Sequence, residues 1–200
     1  LGKLILTAFI ATVIFVVVTY LPIIKLIGMK ISDYLKGAFE PWLIAFTTCS
    51  SAAALAVNLE ASRKMGASKA IASFAIPLGN TINMNGTSIY MGVTAVFAAE
   101  VFGIDLTLTQ QFQIVLMGVL AAVGTAGVPG AGLIMTTLVF TEVGIPLEAV
   151  ALIAGIDRIL DMIRTSVNVL GDSLTALVVS KSEGVLGTEP MDQDTVVKEV

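Results

Sequence analysis

The sequence predicts an all-α integral membrane protein: transmembrane helices plus two re-entrant helical hairpins with inverted-repeat organisation. Three observations carry that prediction. Hydrophobic residues make up 56% of the chain and charged residues 13%, with a mean hydropathy of +0.94, the composition of a chain that lives in lipid. Long uncharged runs are interrupted in their middles by Gly, Pro, Ser and Asn. A hydrophobic helix near the end, Gly155–Ser180, carries Asp157, Arg158, Asp161, Arg164 and Asp172 among its apolar residues.

Composition also excludes chemistry. Cys49 is the one cysteine, so the chain forms no internal disulfide and no Cys-based metal site. With no histidine, His-ligated metals and His general bases are excluded within it. The net charge of −4 says little, because the acids cluster in the tail and in certain loops. The first residues lack the basic start and cleavage site of a signal peptide. The chain opens directly on a hydrophobic run, as a piece of something longer would.

The first unit, 1–30, holds a transmembrane helix. Leu4–Ile24 contains no charge, and about 20 apolar residues span a bilayer. Pro22, Lys25, Gly28 and Lys30 are expected to end it. The second unit, 31–69, begins with an amphipathic stretch, Ile31–Trp42, which carries Lys36 and sets Trp42 at headgroup level. Leu43–Leu59 follows, uncharged and short for a span. Its centre, Thr47-Thr48-Cys49-Ser50-Ser51-Ala52-Ala53, is small and hydroxyl-rich, which points to the first re-entrant hairpin. Irregular backbone at that depth is tolerated only where it is buried in protein or lines a cavity. The alternative is an ordinary helix with a small-residue packing face. Glu60–Lys69 reads as a charged loop.

The third unit, 70–105, is a broken transmembrane helix. Ala70–Ala99 is uncharged, and its centre runs from Pro77 to Thr87 through Gly79, Asn80, Asn83, Asn85 and Gly86. Pro removes a donor and Gly costs about 1 kcal/mol of helix propensity. A break frees backbone carbonyls, which are hard oxygen ligands for a cation such as Na⁺; a kink with no ligand is the alternative. The fourth unit, 106–148, is the second re-entrant hairpin. Two apolar arms in Leu106–Thr141 flank the tip Gly124-Thr125-Ala126-Gly127-Val128-Pro129-Gly130-Ala131-Gly132. This tip lacks the endings of a P-loop and of a dinucleotide fingerprint. Glu100–Asp105 and Glu142–Glu148 read as acidic connections.

The fifth unit, 149–181, is a polar-striped transmembrane helix. A charge at the membrane centre costs at least ~2.5–3.5 kcal/mol, so such residues face a bundle interior or cavity and mark a substrate or ion path. Asp157, Asp161, Arg164, Thr165, Asn168 and Asp172 fall within an arc of about 100°. Arg158 lies at its edge. Carboxylates, a guanidinium, a hydroxyl and an amide on one stripe can hold a zwitterion and a cation together. The alternative is that the charges only neutralise one another in a packed bundle. The sixth unit, 182–200, is polar and acidic and reads as a disordered cytoplasmic tail.

Hairpin, broken helix, hairpin and polar helix follow in order, and interrupted helices in duplicated units point to a transport site at the repeat interface. Lys25, Lys30, Lys36, Arg63, Lys64, Lys69 and Lys181 fall on one side, which the positive-inside rule makes cytoplasmic. Lys3 is the exception. The first hairpin then opens from the cytoplasm and the second from outside, as alternating access requires.

Three motifs carry a family resemblance: Asn83-Met84-Asn85-Gly86-Thr87, the Gly124–Gly132 tip, and Asp161-Met162-Ile163-Arg164-Thr165-Ser166-Val167-Asn168-Val169-Leu170-Gly171-Asp172. Together they resemble the glutamate/aspartate transporter family of dicarboxylate/amino acid:cation symporters, from about Leu4 to Glu183. The likeness is to the C-terminal transport-core part. The resemblance implies that Arg164 pairs with a side-chain carboxylate of the cargo. Asp161 would hold the α-amino group. Thr165 and Asn168 would take the α-carboxylate, helped by backbone around Ser51. Thr87 and the backbone of Val128 and Gly132 would complete the pocket. Gly79, Asn83, Asn168 and Asp172 would form one Na⁺ site. Backbone oxygens of Thr81, Met84, Ala122, Val123 and Thr125 would form a second.

The sequence departs from the family in three places. Asn85 stands where members commonly carry an Asp that serves a further sodium site. The first tip reads Ser50-Ser51-Ala52-Ala53-Ala54-Leu55-Ala56 in place of a serine triplet followed by Gly or Ala, Thr, Leu and Pro. Cys49 and Met162 occupy the positions of the second arginine of archaeal and animal members, which leaves Arg158 as its one substitute.

The expected function is a symporter coupling Na⁺ entry to uptake of an acidic amino acid, aspartate or glutamate. Rivals are a proton- or Na⁺-coupled symporter of C4-dicarboxylates or neutral amino acids, and an anion-conducting channel. Asp161 argues against a plain dicarboxylate and Arg164 against a neutral cargo. An intramembrane enzyme built on Asp157 and Asp161 lacks a nucleophile or metal cluster, so the chain is not expected to be an enzyme. The expected setting is the plasma membrane, multi-pass, with a cytoplasmic C-terminus and lipid around it. The resemblance implies a homotrimer formed through scaffold helices outside this chain, and no nucleic-acid partner is expected.

Overall fold

The computed structural model describes residues 1–189, and every regular element among them is helical. The first helix runs unbroken from Gly2 to Leu26. It comprises α1 (Gly2–Phe15), a π-helical stretch (Val16–Tyr20) and α2 (Leu21–Leu26). Pro22 lies inside α2 and does not end the helix. It has no N–H to offer Val18, and the turn before it widens, so that the N–H of Leu21 bonds to Val16 O, five residues back. Among the described residues this is the one helix long and apolar enough to cross a membrane, with 25 residues and a mean hydropathy of 2.6.

The other apolar runs fold into shorter pieces. Ile31–Trp42 divides at Ala38 into α3 (Ile31–Gly37) and the start of α4 (Phe39–Thr48). After a two-residue break, α5 (Ser51–Lys64) packs back on α4. The expected loop at Glu60 is helix instead: Glu60 and Lys64 pair across one exposed turn, while Ala61 and Ser62 bury on the other face. Ser50 caps α5, its Oγ accepting from Ala53 N at 3.1 Å.

Next come α6 (Lys69–Ile82) and α7 (Asn85–Val101). The break between them falls at Asn83–Met84, whose ψ values of 61° and 48° are not helical, while Pro77 and Gly79 stay inside α6. Then α8 (Leu108–Val123) and α9 (Ala131–Val143) pack together, joined by Gly124–Gly130. Glu142 lies in the last turn of α9, which Val143 closes, and Glu148 opens a short α10 (Glu148–Ala154), so Glu142–Glu148 is a connection only at 144–147. The striped helix, α11, starts at Asp157 rather than Gly155 and reaches Ser182.

The bundle is organised around α11, which packs against α4, α5, α6, α7 and α1. Polar staples fix its second half. Tyr34 OH donates to Leu170 O at 2.6 Å, Asn58 Nδ2 to Val169 O at 3.1 Å, and Ser68 N to Ser180 Oγ at 3.1 Å. All three are buried, where each unmade bond would cost about 1–3 kcal/mol. Of the expected disordered tail, residues 183–189 fold back on the α5–α6 turn: Gly187 N bonds to Gly66 O at 2.8 Å and Lys69 N to a Glu189 carboxylate oxygen at 2.7 Å. Residues 190–200 lie outside the described residues.

Candidate functional site

The stripe on α11 points inward. Asp157, Asp161, Arg164, Thr165, Asn168 and Asp172 are each 2–7% exposed. Charges this deeply buried must be paired, and Arg164 is paired with its own helix. Its Nε donates to Asp161 Oδ1 at 3.0 Å and its NH1 lies 3.4 Å from Asp157 Oδ1. Tyr90 of α7 finishes the cluster, its OH donating to Asp157 Oδ1 at 2.9 Å and its ring lying 4.4 Å below the guanidinium. Thr165 Oγ1 donates to Asp161 Oδ1 at 2.7 Å. One guanidinium thus faces two carboxyl groups.

The two hairpin tips close over this cluster. Gly127 O accepts from Ser50 Oγ at 2.9 Å and from Ala52 N at 3.1 Å, joining tip to tip. Gly130, at φ 77°, gives its N–H to Asp161 Oδ2 at 2.9 Å, tying the second tip to the stripe. A side chain on Gly127 would force its neighbours to move: a Cβ there would lie 2.5 Å from Ser51 Oγ and 2.9 Å from Asn80 Oδ1.

From the third side comes the α6–α7 break. Asn168 Oδ1 accepts from Gly86 N at 2.7 Å, and its Nδ2 donates to Thr87 Oγ1 at 3.0 Å. Gly86 lies so close to α11 that a Cβ would run into the carbonyl of Arg164. Gly86→Ala is therefore expected to push α7 off α11, costing about 1–3 kcal/mol of stability. It should also weaken cargo binding, to be read together in a thermal unfolding midpoint and a binding titration.

Ser51, Thr87, Val128, Gly132, Asp161, Arg164, Thr165 and Asn168 all line one small cavity of about 10 Å³. That holds roughly one water, so a larger guest requires a tip to move. The first cation set also converges. Asn83 Nδ2 donates to Asp172 Oδ1 at 2.9 Å and to Asn168 O at 3.3 Å, and a Cβ on Gly79 would lie 2.6 Å from Asp172 Oδ1. The second set is gathered only in part. Met84 and Thr125 share the cavity wall, while Thr81, Ala122 and Val123 lie outside it, Val123 being 47% exposed.

One reading from the sequence comes out differently. Arg158 is no substitute for a second basic residue in the cavity: it faces outward and donates to Thr47 O and Thr48 O of α4. Asn85 joins a neutral chain, its Nδ2 donating to Asn83 Oδ1 at 2.6 Å and to Tyr20 OH at 3.2 Å, with Tyr20 OH donating onward to Val167 O. Tyr20, Asn80, Tyr90 and Gly130 were not among the expected site residues. A tyrosine in an apolar span needs a partner for its hydroxyl, and that was the available signal for Tyr20 and Tyr90.

This chain belongs to the sodium:dicarboxylate symporter family, which its residues 1–182 match. Membership in a symporter family makes it a membrane protein. It is 39% identical over 189 residues to the proton/sodium-glutamate symport protein of Geobacillus stearothermophilus, covering 94% of this chain and 45% of that protein. It is 37% identical over 183 residues to the proton/glutamate-aspartate symporter of Escherichia coli, covering 92% and 42%. It is 38% identical over 185 residues to a C4-dicarboxylate transport protein of Bacillus subtilis, covering 92% and 44%. The chain thus spans less than half the length of these relatives.

Proposed function

We propose that these residues form the core of a plasma-membrane secondary symporter that couples Na⁺ entry to uptake of an acidic amino acid, aspartate or glutamate. The observation that carries the reading is the placement of Arg164 and Asp161 side by side in a small cavity under both tips. A cargo carboxylate would draw Arg164 from Asp157, its ammonium would take Asp161, and Thr165 and Asn168 would hold its α-carboxylate. Ser51, Thr87, Val128 and Gly132 would wall the pocket. Because Gly130 N already bonds to Asp161, an arriving ammonium competes with the second tip for the same carboxylate.

Sodium travels as co-cargo. Asp172, Asn83, Asn168 and Gly79 supply one hard-oxygen site, and backbone of Thr81, Met84, Ala122, Val123 and Thr125 the other. In this reading α4–α5 and α8–α9 dip into the membrane from opposite faces as inverted repeats, the C-terminus is cytoplasmic, and trimers form through helices outside this chain. Residues 1–30, 31–69, 70–105, 106–148, 149–181 and 182–200 are its successive units.

A second reading is proton coupling. Asn85 prompts it, because its amide, bonded to Asn83 Oδ1 and Tyr20 OH, brings no carboxylate of its own to a further sodium. Of the two glutamate relatives described above, one is named for proton and sodium together and the other for proton alone. Uptake of labelled aspartate into proteoliposomes, with Na⁺ replaced by choline, separates the two. The sodium reading expects uptake to fall to background, and undiminished uptake driven by a pH gradient would replace it.

A further inference from the structure

We propose that Arg158 is the latch of the first tip: a positioning residue that holds Cys49–Ser51 against the start of α11 from outside the cargo cavity. The proposal rests on the symporter reading for its purpose, but its geometry stands by itself. Arg158 follows Asp157 directly, yet the two diverge, Asp157 buried and Arg158 exposed. The Arg158 guanidinium donates to Thr47 O at 2.6 Å and lies 3.4 Å from Thr48 O. These are the last carbonyls of α4, which lack helical partners and sit at the negative end of its dipole. A planar fork suits two adjacent carbonyls in a way an ammonium does not.

The tip returns the contact. Cys49 Sγ donates to the carbonyl of Arg158 at 3.7 Å. Cys49 has φ 57°, the one positive value at a described non-glycine residue. The αL conformation is unfavourable for a side-chain-bearing residue and persists where its surroundings hold it. Ser50 and Ala52 come next and bond to Gly127 O. Arg158 therefore sets where the two tips meet.

The tips are held differently. The second is tied to the stripe through Gly130 and Asp161, inside the cavity, where an ammonium competes. The first is tied through Arg158, which does not line the cavity. Parting the first tip requires Arg158 to release α4, whatever occupies the pocket.

Cys49 is a built-in reporter, the one cysteine of the chain and 1% exposed. The test measures its labelling by a membrane-impermeant maleimide in oriented vesicles, with any cysteine outside these residues replaced by serine. Arg158→Ala is expected to raise the labelling rate about tenfold or more, from the side to which the first hairpin opens. Arg158→Lys should give an intermediate rate, and Ile159→Ala, on the exposed face beside it, the native rate. The unfolding midpoint of Arg158→Ala separates release of the tip from general loosening. A rate within about twofold of native, equal acceleration from both sides, or acceleration only in step with a lowered midpoint would overturn the proposal. Labelling needs neither cargo nor sodium, so failure of the symport reading leaves this test intact.

Discussion

Arg164→Ala will abolish tight binding of aspartate and glutamate, weakening it by a factor of about 100 or more. The size follows from burial. Truncating one partner of a buried, hydrogen-bonded charge pair costs about 2–5 kcal/mol, and about 2.7 kcal/mol is a hundredfold in affinity. Arg164 is 4% exposed and is the cation in contact with Asp157 and Asp161. Removing it also leaves two carboxylates facing each other, so the variant should lose about 3–5 kcal/mol of stability. Arg164→Lys preserves the charge but not the planar fork, and should restore stability better than affinity. Calorimetric titration of the purified protein checks the first claim and an unfolding midpoint the second. Aspartate binding unchanged in Arg164→Ala would remove Arg164 from the site.

Asp172→Asn should change sign with sodium. Asp172 is 2% exposed, and its hydrogen-bond donor is the amide of Asn83 at 2.9 Å. A carboxylate so buried, met by an amide alone, is costly until a cation joins it. In sodium-free buffer the asparagine variant is therefore expected to be more stable than the native protein, by about 1–3 kcal/mol. In high sodium the order reverses, because the native protein gains stability from the ion by mass action and the variant gains little. Unfolding midpoints over a sodium series, with choline holding ionic strength, test this. Parallel curves for the two proteins would place the sodium site elsewhere.

The features written in local patterns were readable from sequence. Asp157, Asp161, Arg164, Thr165, Asn168 and Asp172 share one face because helical periodicity is local, and burial of that face follows from the cost of charge in an apolar bundle. Interruptions at Cys49–Ser50, at Asn83–Met84 and at Gly124–Gly130 were signalled by small, polar and Gly/Pro residues. Their positions were less legible. Pro77 and Gly79 sit inside α6, because packing on α11 outweighs their weak propensity and the chain yields at Asn83–Met84 instead. Glu60–Lys64 reads as loop by charge but folds as helix, because one face buries while the other pairs its charges.

Contacts between distant elements were not legible. Nothing local announces that Gly127 O will take Ser50 Oγ, that Gly130 N will take Asp161, or that Arg158 will reach Thr47 O. Those depend on where two tips land after the whole bundle has packed. Tyr90 shows the same limit: its apolar neighbours place it in a core, and only the fold places it over Arg164.

If cargo and cation neutralise one buried stripe together, each must tighten the other. Two titrations of the purified protein measure this: aspartate at rising sodium, and sodium at rising aspartate. Coupling between two ligands is reciprocal in equilibrium binding, and the account predicts that the two tighten each other by the same factor, about tenfold or more. Aspartate affinity that is the same in sodium and in choline would contradict it.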